Sequence, residues 1–326
     1  MSDESLYRKT ELDEGEDTPA SLSPYLHDTR PSSRVPNLGH ALLFLSFAGL
    51  LLLFTQLIAI SLAHTAHDAH ASAEALLQPK RQLATMAITY LVTLASCFLI
   101  FPLFWERSFP AGLNWNGPRA LRLASKLVPL GLAVGICVQA ISSLIPMPKS
   151  IPMDDFFRTP SDVWLVTLFG TLLAPLFEEI TFRGFLLPAF AIAFDWLGPM
   201  LRYLWEFSQA RLSGEEPPRH IAVFAESATA GLAEETGNLF FRSRTALVWA
   251  SIVSSVFFAM LHAEQLAHAW GALAVLFGVS LVLTAVRIRT RSVACSTIVH
   301  ASYNLSVFIT LFLATGGYRH LDRMTK

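Results

Sequence analysis

Two adjacent carboxylates and an arginine stand at the end of an apolar run, in Leu172-Leu173-Ala174-Pro175-Leu176-Phe177-Glu178-Glu179-Ile180-Thr181-Phe182-Arg183. A charge at the centre of a bilayer costs roughly 2.5–3.5 kcal/mol, so three would cost about 8–10 kcal/mol before any pairing. On a helix, Glu179 and Arg183 are i,i+4 neighbours with the acid on the N-terminal side, the favoured order for an ion pair. Glu178 is turned about 100° away, free to face a cavity while its neighbour is neutralised. The spacing therefore predicts one structural carboxylate and one that can do chemistry. Pro175 removes the helical donor of the Thr171 carbonyl and predicts a kink where water could enter.

Two further polar pairs lie in apolar segments downstream. In Phe258-Ala259-Met260-Leu261-His262 the ring and the imidazole share a face, and in His300-Ala301-Ser302-Tyr303-Asn304 the histidine and the amide do the same. Glu178 and His262 could hold and deprotonate a water, which is general-base chemistry. His300 and Asn304 could stabilise the oxyanion formed on a scissile carbonyl. A lone intramembrane histidine is more often a hydrogen-bonded packing residue. Base, water and oxyanion hole together describe hydrolysis of a peptide bond.

These side chains need a membrane scaffold. Of 326 residues, 53% are hydrophobic and 15% are charged, against about 25% charged in a soluble protein. The composition predicts an all-α, polytopic helical bundle of seven to eight transmembrane helices, multi-pass in the membrane, with catalytic residues inside it. Cys97, Cys137 and Cys295 all fall in apolar runs, so neither a disulfide framework nor a zinc knuckle is indicated. A net charge of −1 argues against a nucleic-acid partner.

Residues 1–36 read as a disordered polar tail and residues 37–160 as N-terminal transmembrane helices, with spans near 38–63, 83–105 and 121–145. His64, His67, Asp68 and His70 have metal-like spacing in the first loop, yet a solvated loop is the better reading. A catalytic membrane domain covers 161–315, with spans near 161–182, 246–262, 268–286 and 293–314. The apolar stretch 184–201 reads as an interfacial continuation, or as an eighth span. A polar insertion occupies 202–245, with helical character over 221–235, and reads as a surface loop or a lid. Residues 316–326 form a C-terminal tail. With seven spans, about 17 of the 24 Lys and Arg residues fall on the side of the N-terminus, which predicts that this end is cytoplasmic.

The motifs Glu-Glu-x-x-x-Arg (Glu178, Glu179, Arg183), Phe-x-x-x-His (Phe258, His262) and His-x-x-x-Asn (His300, Asn304), in that order on separate apolar helices, resemble those of the CPBP family, which contains the type II CAAX prenyl endopeptidases and bacteriocin-processing proteins. The resemblance spans roughly 161–315. It implies an intramembrane endopeptidase acting on a membrane-embedded or membrane-proximal peptide or protein, prenylated CAAX tails among the candidates. It further implies Glu178 as catalytic carboxylate, His262 as its helper, His300 and Asn304 as oxyanion site, and Glu179, Arg183 and Phe258 as support. Family members have been described as metalloproteases and as metal-free glutamate proteases. Two histidines and two carboxylates could take zinc, but Arg183 competes for one carboxylate and asparagine is a poor ligand, so no cofactor is favoured. Two departures stand out: the insertion at 202–245, and Arg289-Thr290-Arg291-Ser292 where the family often has Arg-Thr-Gly-Ser. A catalytically idle scaffold or partner-binding protein of the same fold is the alternative. A proton-coupled transporter is a weaker one, since it predicts internal repeats that the chain lacks.

Overall fold

The computed structural model describes residues 36–65, 79–146, 148, 150–214 and 243–322. Among these, every regular element is helical, and seven helical stretches are long and apolar enough to cross a bilayer. The protein is an all-α polytopic bundle. In chain order the elements are α1 (Leu38–Thr65), α2 (Pro79–Trp105), the one-turn α3 (Phe109–Gly112) and α4 (Gly117–Ser142). A 3-10 turn over Pro152–Phe157 then leads into α5 (Pro160–Leu168), α6 (Ala174–Glu179) and α7 (Leu187–Ser213). The chain closes with α8 (Arg244–Leu261), α9 (Trp270–Thr290) and α10 (Val293–Ala314).

The stretch from α5 to α7 is one unbroken rod of 54 residues, about 80 Å at 1.5 Å per residue and well over the bilayer's hydrocarbon thickness of about 30 Å. The apolar segment 184–201 therefore continues the fourth span rather than folding back as an eighth. Two wide π-helical turns interrupt the rod: π1 (Phe169–Leu173), before α6, and π2 (Ile180–Leu186), after it. Each is followed by a proline at the second position of the next α-helical turn, Pro175 in α6 and Pro188 in α7. A mid-helix proline clashes with the carbonyl four residues back, and the wider turn relieves that crowding.

Capping side chains fix three of the other starts. Asn116 accepts from the Arg119 amide at 2.9 Å to open α4, and Thr159 accepts from Asp162 to open α5. Ser243 opens α8 by accepting from Ala246, while its own amide donates to Asp195 of α7 at 3.1 Å. That bond closes the base of the insertion. Helix α7 itself runs twelve residues into the segment read as insertion before Gly214 ends it at φ +70°. The rest of the insertion, including 221–235, lies outside the described residues, as do His67, Asp68 and His70.

Among the described residues, the most extensive helix–helix contact is that of α4 with α10. Gly131 and Gly135, one turn apart on α4, face Ser302 and Ser306 of α10 with no room for a side chain between the backbones. On the other side, an aromatic core joins α1 and α2 to the rod. Phe44 stacks on Phe185 at 4.4 Å, and Phe101, Trp105 and Phe109 close around them. Helix α9 runs beyond its expected end at 286, so Arg287, counted with the loop charges in the orientation argument, is a buried helix residue.

Candidate active site

Helix α6 is only six residues long and carries both glutamates in its last turn, between the two π turns. The adjacent carboxylates have different surroundings. Glu179 is fully buried, and its Oε1 accepts from Arg183 Nη1 at 2.8 Å and from His300 Nδ1 at 3.0 Å. Arg183 is fully buried as well. Its Nη2 donates to both the carbonyl and the hydroxyl of Ser280 on α9 at 2.8 Å, and its guanidinium lies 5.0 Å from the Phe258 ring centre. Glu178 keeps 20% of its side chain exposed, with an oxygen 3.8 Å from His300 Nε2. Burial, a guanidinium and an imidazole fix one carboxylate, while the other stays partly exposed.

His300 thus lies between the two acids. A carboxylate only accepts hydrogen bonds, so Nδ1 of His300 carries the hydrogen that goes to Glu179, leaving Nε2 toward Glu178. His262, the C-cap of α8, has the same polarity: its Nδ1 lies 2.9 Å from the Phe258 carbonyl, which can only accept, and its Nε2 is left to point elsewhere. The two histidines flank the Phe258 ring, with centres at 5.1 Å for His262 and 5.8 Å for His300. Span depth alone set these residues toward opposite faces of the membrane. The short α8, of 18 residues, brings its end to the level of His300, eight residues into α10.

Asn304, half-buried one turn beyond His300, donates from Nδ2 to the Gly170 carbonyl in π1 at 2.7 Å. One of its two amide hydrogens is therefore engaged with the rod, and one remains. The Gly170 carbonyl is freed as well, because the π winding sends the Ala174 amide back five residues to Phe169.

Several residues around the site were not singled out from the sequence. Tyr90 of α2 stacks on Phe177 at 3.8 Å with an interplanar angle of 4°, covering the residue that precedes Glu178. Ser280 and Arg287 of α9 hold Arg183 from behind, Arg287 Nε lying 3.4 Å from the Arg183 carbonyl. Gly131 and Gly135 set how closely α10 approaches α4. The glycine spacing was a readable signal for close helix packing; the other residues carry no local pattern that marks them.

Among the described residues, no three His, Cys, Asp or Glu side chains converge as a metal-binding group. Glu179 already faces a guanidinium, which a cation would have to displace.

No curated protein and no solved structure matches the chain. Residues 160–306 do match a family, described as type II CAAX prenyl endopeptidase Rce1-like. The matched segment holds Glu178, Glu179, Arg183, Phe258, His262, His300 and Asn304 and leaves out α1, α2 and α4. Those excluded helices supply Phe44 and Tyr90 to the walls around the motif and Gly131 and Gly135 to the back of α10. Over residues 160–306, just under half of its length, the chain is therefore similar to the type II CAAX prenyl endopeptidase Rce1-like family.

Proposed function

We propose that this protein is a metal-free intramembrane endopeptidase in which Glu178 is the general base. The observation that carries the reading is the asymmetry of the two glutamates: Glu179 is buried and doubly paired, whereas Glu178 is accessible beside an imidazole nitrogen at 3.8 Å. A water bound by Glu178 would give it a proton while attacking the scissile carbonyl carbon. The Nε2 of His262 adds a second acceptor for that water. His300, held by Glu179 through Nδ1, donates from Nε2 to the developing oxyanion when that nitrogen is protonated, and the second amide hydrogen of Asn304 donates beside it. Collapse of the tetrahedral intermediate returns the proton from Glu178 to the leaving amine. The substrate is a membrane-embedded or membrane-proximal peptide, with a prenylated CAAX-type tail the first candidate. The excess of Lys and Arg on the N-terminal side, which persists without the buried Arg183 and Arg287, supports a cytoplasmic N-terminus.

The test is cleavage of a fluorogenic prenylated peptide and of a small peptide library by purified protein in detergent, with and without a chelator. Glu178→Gln should lower kcat at least ~10³-fold at an unchanged thermal midpoint, because this carboxylate is not part of the buried pair. Cleavage that survives Glu178→Gln would remove the base assignment. Loss with chelator and recovery with zinc would replace the metal-free mechanism while keeping the peptidase.

A further inference from the structure

The two π turns share a feature that neither the family match nor the catalytic reading accounts for. In π1 the Ala174 amide bonds to Phe169, and the next residue, Pro175, has no amide hydrogen. The Gly170 carbonyl, whose donor would be residue 174 in α winding or 175 in π winding, is left with neither. In π2 the Leu187 amide bonds to Phe182, and the next residue is Pro188. The Arg183 carbonyl is stranded in the same way. A buried carbonyl without a donor is destabilising, and in lipid no solvent is at hand to satisfy it.

Each stranded carbonyl is met by a side chain from another helix. Asn304 Nδ2 of α10 donates to Gly170 at 2.7 Å, and Arg287 Nε of the buried Arg287 on α9 donates to Arg183 at 3.4 Å. Arg287 also reaches the Leu113 carbonyl from Nη2 at 3.5 Å, which ties the same guanidinium to the connector before α4. Between these two docking points lie π1, the single turn of α6 with Glu178 and Glu179, and the start of π2.

We propose that Pro175 and Pro188 free one carbonyl each so that α10 and α9 can grip the rod there, making Arg287 a positioning residue and giving Asn304 a positioning role beside its place at the oxyanion site. The grips set the rotation of α6. A helix residue turns about 100° around its axis, so loss of a π turn would carry Glu178 off the His300 face and Glu179 away from its partners. The two docking points differ in strength, since the bond to Gly170 is shorter and better formed than the bond to Arg183.

Thermal unfolding of the full-length protein in detergent micelles tests this through two double-mutant cycles: Asn304→Leu with Pro175→Ala, and Arg287→Met with Pro188→Ala. Each alanine restores the missing amide hydrogen. Asn304→Leu should lower the midpoint by about 2–4 °C in the parent and by less than half as much in the Pro175→Ala background. The Arg287 cycle should show the same sign with a smaller coupling. Equal losses in both backgrounds would overturn the pairing. Where a single variant does not accumulate, the yield of monodisperse protein replaces the midpoint: recovery by the proline substitution supports the proposal, and its absence overturns it.

The catalytic consequence rests on the peptidase reading and has its own readout. Arg287→Met should lower kcat about 10–100-fold at unchanged KM, and Pro188→Ala should return most of it. If no protein in the set cleaves any peptide, the peptidase reading fails while the thermal cycles still decide the pairing.

Discussion

Helix α10 is held from two sides by opposite means. Against α4 the contact is made by what is missing: Gly131 and Gly135 let the backbone of α10 approach until Ser302 and Ser306 fill the groove. Against the rod and α9 it is made by buried polar groups, with His300 bound to Glu179, Glu179 to Arg183, and Arg183 to Ser280. Lipid tails are as apolar as leucine, so burial of apolar surface does little to bring helices together in a bilayer, and close packing and hydrogen bonds must do it. The contact with α4 fixes distance and has no charges to balance. The contact with the rod fixes direction, because hydrogen bonds have preferred angles, and it fails if any one charge loses its partner.

The largest effect is expected from breaking the polar side. Arg183→Leu leaves Glu179 buried at 0% exposure without its guanidinium partner, and removing one member of a buried ion pair costs about 3–5 kcal/mol. The variant should give little folded protein. The double substitution Arg183→Leu with Glu179→Leu removes both charges and should recover much of that stability without recovering peptidase activity. Thermal midpoints of the three proteins measure this, and a double variant no better than the single would mean that packing, not charge, dominates this side.

Gly131→Ala breaks the other side. Its Cβ would run into the Val299 carbonyl oxygen and lie 3.1 Å from the Tyr303 amide nitrogen, and backbone cannot swing aside. Overpacking of this kind costs about 1–3 kcal/mol. At Gly135 the nearest obstacle is the Ser306 side chain, with the Tyr303 carbonyl at 2.9 Å. Gly135→Ala should therefore be partly rescued by Ser306→Gly, whereas no α10 side-chain substitution should rescue Gly131→Ala. Equal rescue at both positions, read from thermal midpoints, would refute the distinction between a backbone wall and a side-chain wall. Ser280→Ala sharpens the polar side at smaller cost: Arg183 loses one acceptor and keeps the Ser280 carbonyl, for about 1 kcal/mol.

The two sides also differed in what the sequence made legible. Seven apolar stretches and the i,i+4 order of Glu179 and Arg183 sufficed for the bundle and for the ion pair, since both depend on neighbours along the chain. Gly131-Leu-Ala-Val-Gly135 carried the small-residue spacing of a close helix contact, although its partner on α10 could not be read from it. The π turns were not legible. Pro175 predicted a kink with Thr171 stranded, but which carbonyl is freed depends on the winding, and a donor to it comes from Asn304, 134 residues away. The depth of His262 was not legible for a related reason: a span's length in sequence does not give its tilt, and α8 is short. Arg287 read as a loop cation because the apolar run ends at Val286, whereas the helix continues to Thr290.

The smallest effect concerns the turn that launches α10. Arg291 ends α9 at φ +55°, a left-handed conformation that a side chain disfavours and glycine adopts freely. It is also the position where the resembling family often has glycine. A non-glycine residue there bears a strain of about 1 kcal/mol, while glycine loosens the unfolded chain by a comparable few tenths to 1 kcal/mol. Arg291→Gly should therefore raise the thermal midpoint slightly, by about 1 °C, if the strain outweighs the side chain's own contacts. Arg289→Gly, two residues earlier and inside α9, should lower it, because glycine in a helix interior costs about 1 kcal/mol. The opposite signs are the test: a fall at both positions would mean that the Arg291 side chain contributes more through its contacts than its backbone loses. In that case the arginine replaces the glycine as an anchor for the start of α10, and the turn belongs with the polar side of the comparison.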